Sequence, residues 1–236
     1  MPLGEGLRVA LSWSGTSTPT RLSNSAGSPA WATPSASNIA AGLSYRLSES
    51  ISTGFSLGTL NEKHSLLGST YESGSALSLG DTNRSTSYSF STGWLIDEQR
   101  SLLVEAGFAN TRASTADGLF AGTSAIQSRS WGATFQQVDW LQKHDRLSFS
   151  VRQPLRVTSG SVAMVNTDID SDGVAHYSTE WSSLVPDGHE TDLKLGYQMP
   201  AGKSASWAFE AGYRKDVLNV KGSKDANIGA MWRSMF

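Results

Sequence analysis

Bulky apolar and small polar residues alternate along most of this chain. In "TDLKLGYQM", Leu193, Leu195, Tyr197 and Met199 are separated by Asp192, Lys194, Gly196 and Gln198. In "SWAFEAGYR", Trp207, Phe209, Ala211 and Tyr213 alternate with Ala208, Glu210, Gly212 and Arg214. "YSFSTGWLI" sets Tyr88, Phe90, Thr92 and Trp94 against Ser89, Ser91 and Gly93, and "LRVALSW", "IAAGLSYRL" and "ISTGFSLG" follow the same rule. Successive strand side chains point to opposite faces, so a period of two predicts strands with one apolar face and one face of Ser, Gly and charge. The predicted strands are Leu7–Ser14, Asn38–Ser48, Ser50–Thr59, Ser85–Ile96, Arg100–Asn110, Ser128–Leu141, Asp145–Val157, Ser161–Thr167, Val174–Leu184, His189–Met199, Ser204–Asp216 and Asp225–Phe236. The alternation slips between Phe135 and Trp140, which predicts a bulge near Gln136–Val138.

Two architectures share this signature. A soluble barrel or sandwich buries the apolar face. A transmembrane barrel turns that face to lipid and lines its lumen with the polar one. Sequence features beyond the period favour the second. Glycine precedes an aromatic ring at Gly54-Phe55, Gly93-Trp94, Gly107-Phe108, Gly196-Tyr197 and Gly212-Tyr213, thinning the polar side of the wall where a closing sheet must bend. The gaps also sort alternately. "GTSTPTRLSNSAGSPAWATPSA", the stretch around "EKHSLLGSTYESGSA" and "STADGLFAGTSAI" are long, whereas "DEQ", "QKH", "DIDSDG" and "PAGK" are short. Short turns on one rim and long loops on the other, with about twelve strands, match an up-and-down membrane barrel. That orientation sends Trp13, Tyr88, Trp131, Trp181 and Tyr213 towards the long-loop rim, and Tyr45, Trp94, Trp140, Tyr197 and Trp207 towards the short-turn rim. These are the places of the aromatic girdles at the headgroup level.

The fold class expected is therefore all-β: a single antiparallel up-and-down transmembrane β-barrel spanning residues 1–236, with the first few residues read as linker or cloning remnant. On this assignment Arg8, Arg46, Glu105, Arg152, Lys194, Glu210, Arg214 and Arg233 face the lumen, where they solvate the pore and pair with one another. In lipid each would cost several kcal/mol near the midplane. Composition agrees: the chain has no cysteine and only 17% charged residues, with net charge -2, and no basic run suggests nucleic acid. No apolar run reaches the ~18–20 residues of a spanning helix. No secretion signal precedes "MPLGEGLRVALSW", so an exported protein would here be a fragment or a mature form. At the other end Gly229, Trp232 and Phe236 compose a last strand ending on an aromatic ring, similar to the signal read by outer-membrane barrel-assembly machinery.

The stretches "RLSFSVRQPLRVTSGSVAM", "LVPDGHETDLKLGY" and "YRKDVLNVKGSKDANIGAMWRSMF" resemble the C-terminal domain of subtilisin-like serine protease autotransporters, with "LLGSTYESGSALSLGD" a looser match. The resemblance implies a translocator of type V secretion, located in the outer membrane of a Gram-negative bacterium with its C-terminus periplasmic. It implies an N-terminal protease passenger absent from this chain, and a linker helix threading the pore. The implied partners are outer-membrane lipid, the assembly machinery and the protein's own passenger, and the implied state is monomeric. A free-standing porin or adhesin-like barrel, and a soluble β-barrel binding module, remain as alternatives.

The chain offers little for catalysis or cofactors, and neither is expected. Gly122-Thr123-Ser124 echoes a subtilisin nucleophile segment but lacks its continuation and its His and Asp partners. His64, His144, His176 and His189 make no metal-spaced pair. Asp168, Asp170 and Asp172 in "TDIDSDGVAHYSTE" open like a calcium loop, but the twelfth position is Thr179 and Glu180 falls one place late. A solvated turn is the plainer expectation there.

Overall fold

The computed structural model describes residues 6–17, 35–63, 65–66, 69–70, 82–113, 120–202 and 204–234. Its strands are β1 (Leu7–Ser17), β2 (Ser35–Arg46), β3 (Ile51–Lys63), β4 (Ser65–Leu66), β5 (Ser69–Thr70), β6 (Thr82–Leu95), β7 (Arg100–Ala113), β8 (Phe120–Thr123), β9 (Ile126–Val138), β10 (Arg146–Ser159), β11 (Ser161–Ile169), β12 (Ala175–Ser183), β13 (Thr191–Pro200), β14 (Ala205–Lys215) and β15 (Lys224–Ser234). A 3-10 turn at Val217–Asn219 is the one helical element among the described residues, and none of their helices is long and apolar enough to cross a membrane. Ten strands form one sheet in the order β1-β2-β3-β6-β7-β9-β10-β13-β14-β15. Each neighbouring pair is antiparallel. The outer edges of β1 and β15 have no strand partner among the described residues, so the sheet is open there.

Register turns the sequence alternation into two continuous faces. On one, Leu43 lies opposite Val9 and Phe55, and Phe55 opposite Phe90. Further along, Phe135 faces Leu102 and Phe149, Leu195 faces Phe149 and Ala211, and Trp207 faces Trp232. The other face pairs Ser44 with Gly54, Ser91 with Glu105, Glu105 with Gly132 and Asp192 with Arg214. The polar face is the concave one. Hollows of about 780 Å³ and 520 Å³ open on it, lined by Arg8, Ser44, Arg46 and Ser91 in one case and by Ser89, Glu105, Ser130 and Arg152 in the other. Side chains crowd together inside a curved sheet, and small residues relieve that crowding. A Cβ on Gly107 would stand 2.6 Å from the Ser130 hydroxyl oxygen, and one on Gly54 2.7 Å from that of Ser91.

The connections sort cleanly onto two rims. At one, β2 ends and β3 begins, as do β6 and β7, β9 and β10, and β13 and β14; at the other, β1 ends and β2 begins, as do β3 and β6, β7 and β9, β10 and β13, and β14 and β15. The expected count of wall strands needs correction. Predicted strands Ser161–Thr167 and Val174–Leu184 exist, but as β11 and β12 they join β8 in a separate three-stranded sheet, and β10 pairs directly with β13. The turn "DIDSDG" therefore belongs to a hairpin rising from the long-loop rim rather than to the short-turn rim. The chain leaves the wall at Gly160, whose φ of 143° lies in the region that favours glycine. A Cβ there would also crowd Ile126 at 3.2 Å.

The predicted bulge is displaced too. Pairing is regular through Gln136–Val138, and the phase slip marks the end of β9, where Asp139 adopts φ 53° and Trp140 enters the turn. The register shifts fall instead on β10, one between Gln153 and Arg156, around Pro154, and another between Val157 and Ser159. Proline cannot donate to a ladder, so it is tolerated at a bulge.

Candidate functional site

The polar face gathers the charge of the sheet. Arg152 donates from Nη2 to Asp192 Oδ2 at 3.2 Å. Arg214 Nε lies 3.0 Å from Glu190 Oε1, and its Nη2 closes on the same oxygen. The same guanidinium reaches Asp192 Oδ1 at 3.5 Å and Asp225 Oδ2 at 3.9 Å. Lys194 Nζ donates to Glu210 Oε1 at 3.3 Å. Because Arg152, Asp192, Arg214 and Asp225 stand on successive strands in register, opposite charges become cross-strand neighbours. Glu190 and Asp192 are only 3% and 4% exposed, and a buried carboxylate requires such partners.

Above this ladder, at the long-loop rim, lies a hydrogen-bonded knot. Arg156 is buried and donates from Nε to Gly188 O at 2.9 Å and from Nη2 to Pro186 O at 2.8 Å. Gly188 N donates to Asn219 O at 2.9 Å, Glu190 N to Asn219 Oδ1 at 3.1 Å, and Leu218 N to Glu190 Oε2 at 2.8 Å. Asp216 accepts from Gly222 N at 2.8 Å and from His189 N at 3.2 Å. These amides hold its carboxyl below the usual carboxylate range, against the opposing effect of burial. Asp216, Leu218 and Asn219 all have positive φ, a strained backbone that the surrounding bonds maintain. Segments "QPLRV", "LVPDGHE" and "YRKDVLN", far apart in sequence, thus meet in one cluster.

At the opposite rim Asp145 organises the turn between β9 and β10. Its carboxylate accepts from Trp140 N at 2.6 Å, Leu141 N at 2.9 Å, Gln142 N at 3.0 Å and the Tyr197 hydroxyl at 2.8 Å. Burial acts to raise its pKa. The Tyr197 hydroxyl and the three amides outweigh that effect and hold the carboxyl below its ordinary range.

Arg8, Arg46, Glu105, Arg152, Lys194, Glu210, Arg214 and Arg233 all take polar-face positions in the register. Arg8 and Arg46 look into the 780 Å³ hollow. Of the aromatic residues, Trp13, Tyr45, Tyr88, Trp94, Trp131, Tyr197, Trp207 and Tyr213 stand on the apolar face of the wall. Trp140 sits in the short turn with its ring 5.9 Å from that of Tyr197. Trp181 is the exception: it lies on β12, in the smaller sheet, because the hairpin leaves the wall. Gly229 and Trp232 lie on β15, and Phe236 falls outside the described residues.

Asp168, Asp170 and Asp172 do not assemble into a metal site. Asp170 spends its carboxylate on Asp172 N, Val174 N and His176 Nε2, as a turn does, and no group of three acidic or histidine ligands occurs among the described residues. Ser124 accepts from Ser161 N at 2.8 Å where β8 meets β9. Sequence reasoning missed Arg156, Glu190, Asp192, Asp216 and Asn219. Asp192 and Glu190 hold polar places in the predicted strand His189–Met199, as Asp216 does at the end of Ser204–Asp216, and could have been found; Arg156 follows a register shift and Asn219 lies beyond the strands.

Compared with family models, with curated proteins and with solved structures, the chain matches none.

Proposed function

We propose that the ten-stranded wall closes by pairing β1 with β15 into a transmembrane β-barrel, and that this barrel is the outer-membrane translocator of an autotransporter. One observation carries the membrane reading. Among the described residues the only buried hydrophobic side chains are Ile126, Val162 and Ala163, whereas Leu11 is 81% exposed, Trp13 75% and Ile228 91%. A water-soluble sheet of this size would bury its apolar face as a core. Here that face is continuous, has no covering layer among the described residues and has rings near both rims, which suits contact with acyl chains. The curvature towards the polar face and the sorting of connections support closure. So do the matching eleven-residue lengths and opposite directions of β1 and β15. Closure would also remove the two bare edges, which hydrocarbon does not tolerate.

The translocator role rests on the segments that resemble autotransporter domains, several of which converge in the rim knot. In this role the barrel is passive: its concave wall is mainly Ser, Gly and charge, with few apolar side chains such as Leu103 and Met231 for an extended passenger to adhere to. The deciding experiment joins the chain to a secretion signal and a reporter passenger in a Gram-negative host. Surface display of the reporter, with a barrel whose gel mobility changes on boiling, is expected. A heat-modifiable barrel with no export would favour a free-standing porin or adhesin-like barrel. A detergent-independent monomer with one gel mobility would favour a soluble binding module.

A further inference from the structure

Charge is partitioned between the two faces by sign as well as by amount. Every carboxylate of the ten-stranded sheet, namely Glu62, Glu105, Asp192, Glu210 and Asp225, occupies the polar face. The apolar face carries no acid on the described strands, yet it carries exposed cations: Lys63, Arg84, Arg112, Arg129, Lys215 and Lys224. All of them cluster at one end, beside the long-loop rim. Lys63 and Lys215 are at the ends of β3 and β14, Lys224 begins β15, and Arg84, Arg112 and Arg129 lie near the corresponding ends of β6, β7 and β9. Below them on the same strands come Tyr88, Phe108, Trp131 and Tyr213. Two further cations fall on that face by register: Arg156, opposite Arg129, is buried and engaged by the Gly188 and Pro186 carbonyls, and Arg100 is at the opposite rim and engaged by Asp97.

Register makes this row unfavourable by itself. Arg84 is directly opposite Arg112, and Lys215 directly opposite Lys224, pairings that repel within a sheet. None of these six cations has an ion pair among the described residues. An anion shared between neighbouring cations would relieve the repulsion, and its place would be just outside a ring of aromatic side chains, where an apolar wall passes into water. We infer that this row is a binding surface for the phosphate groups of lipid headgroups, in the leaflet at the long-loop rim. Arginine suits the task, since its planar fork takes phosphate oxygens two at a time, and the long lysine stems can lie along the apolar wall while their heads reach the headgroups. The inference rests on the barrel reading above, and it selects a phosphorylated lipid of the outward leaflet over free phosphate.

The test uses the full chain refolded into vesicles of phosphatidylcholine alone, and of phosphatidylcholine with the bisphosphorylated glycolipid lipid A. Thermal unfolding is followed by circular dichroism. The lipid A vesicles are expected to raise the unfolding temperature. The triple variant Arg84→Gln, Arg112→Gln, Arg129→Gln is expected to lose that rise while folding normally in phosphatidylcholine. A polar-face triple of identical charge change, Arg8→Gln, Arg46→Gln, Arg146→Gln, should retain it, and inorganic phosphate added to neutral vesicles should produce none. Equal rises in wild type and in the apolar-face triple would overturn the inference, as would a rise produced by inorganic phosphate alone. Heat-modifiable insertion into neutral vesicles with no response to lipid A would sink this inference and leave the barrel standing. Failure to insert into either vesicle would sink both.

Discussion

Adjacent residues Phe90 and Ser91 on β6 allow the two faces to be compared one position apart. Phe90 is 52% exposed on the apolar face, its ring 5.0 Å from that of Phe55; Ser91 lies on the polar face opposite Gly54 and Glu105. If the apolar face meets hydrocarbon, arginine at position 90 costs about 2–4 kcal/mol near the midplane. Loss of the Phe55 contact adds about 0.5–1.5 kcal/mol. At roughly 1.4 kcal/mol per decade, Phe90→Arg should shift the folding equilibrium by about two to four decades. Ser91→Arg introduces the same charge into a hollow beside Glu105, which can pair with it, so a change within about 0.5 kcal/mol is expected. The assay is a denaturant titration of refolding into vesicles, read by the gel band that changes mobility on boiling. Equal penalties at the two positions would refute the assignment of faces, and a larger penalty at Ser91 would reverse it.

Other expectations concern the two rims. Arg156→Lys should loosen the strap over Pro186 and Gly188 by about 1.5–3 kcal/mol, because an ammonium cannot reproduce two divergent charged hydrogen bonds; amide exchange at Gly188 and Glu190 reports it. Gly188→Ala places a Cβ 2.8 Å from Lys221 N and against Asn219 O, so a loss of about 1–3 kcal/mol is expected by thermal unfolding in detergent. Asp145 provides the pH test. Its folded pKa is depressed, so the stabilisation it gives is present above the unfolded carboxylate value of about 4 and disappears as pH falls through the folded value. The amides of Trp140, Leu141 and Gln142 should then lose protection from exchange in acid, after correction for intrinsic rates. Asp145→Asn should abolish that pH dependence.

The alternation of large and small residues made the wall legible in the sequence, since a period of two assigns each side chain to a face without any knowledge of partners. The same simplicity concealed the hairpin. Ala175–Ser183 alternates as the wall strands do, with Tyr177 and Trp181 on one side; Ser161–Ile169 does so less cleanly, since Val162 and Met164 fall on the side opposite Ala163 and Val165, yet its length and β-branched content read as a wall strand. Which strand pairs with β10 is decided by Gly160 and by the irregular segment before β13, and both act through tertiary geometry. The charge ladder was half legible. Arg152, Lys194, Glu210 and Arg214 followed from alternation; Glu190 held a polar place at the start of the predicted strand His189–Met199, but its burial emerges only once Asn219 and Leu218 are seen to fold over it. Trp140 shows the converse error, where a strand end with a left-handed residue at Asp139 mimicked a bulge.

The absence of cysteine from the chain permits a direct test of where the apolar face lies. Single cysteines placed at each position from Asp192 to Met199, spin-labelled in vesicles, can be scored for collision with oxygen, which concentrates in hydrocarbon, and with a water-soluble nickel chelate. The account predicts oxygen-dominated collisions at positions 193, 195 and 197 and nickel-dominated collisions at 192, 194, 196 and 198. Nickel access at 193, 195 and 197, or a profile without alternation, would contradict it.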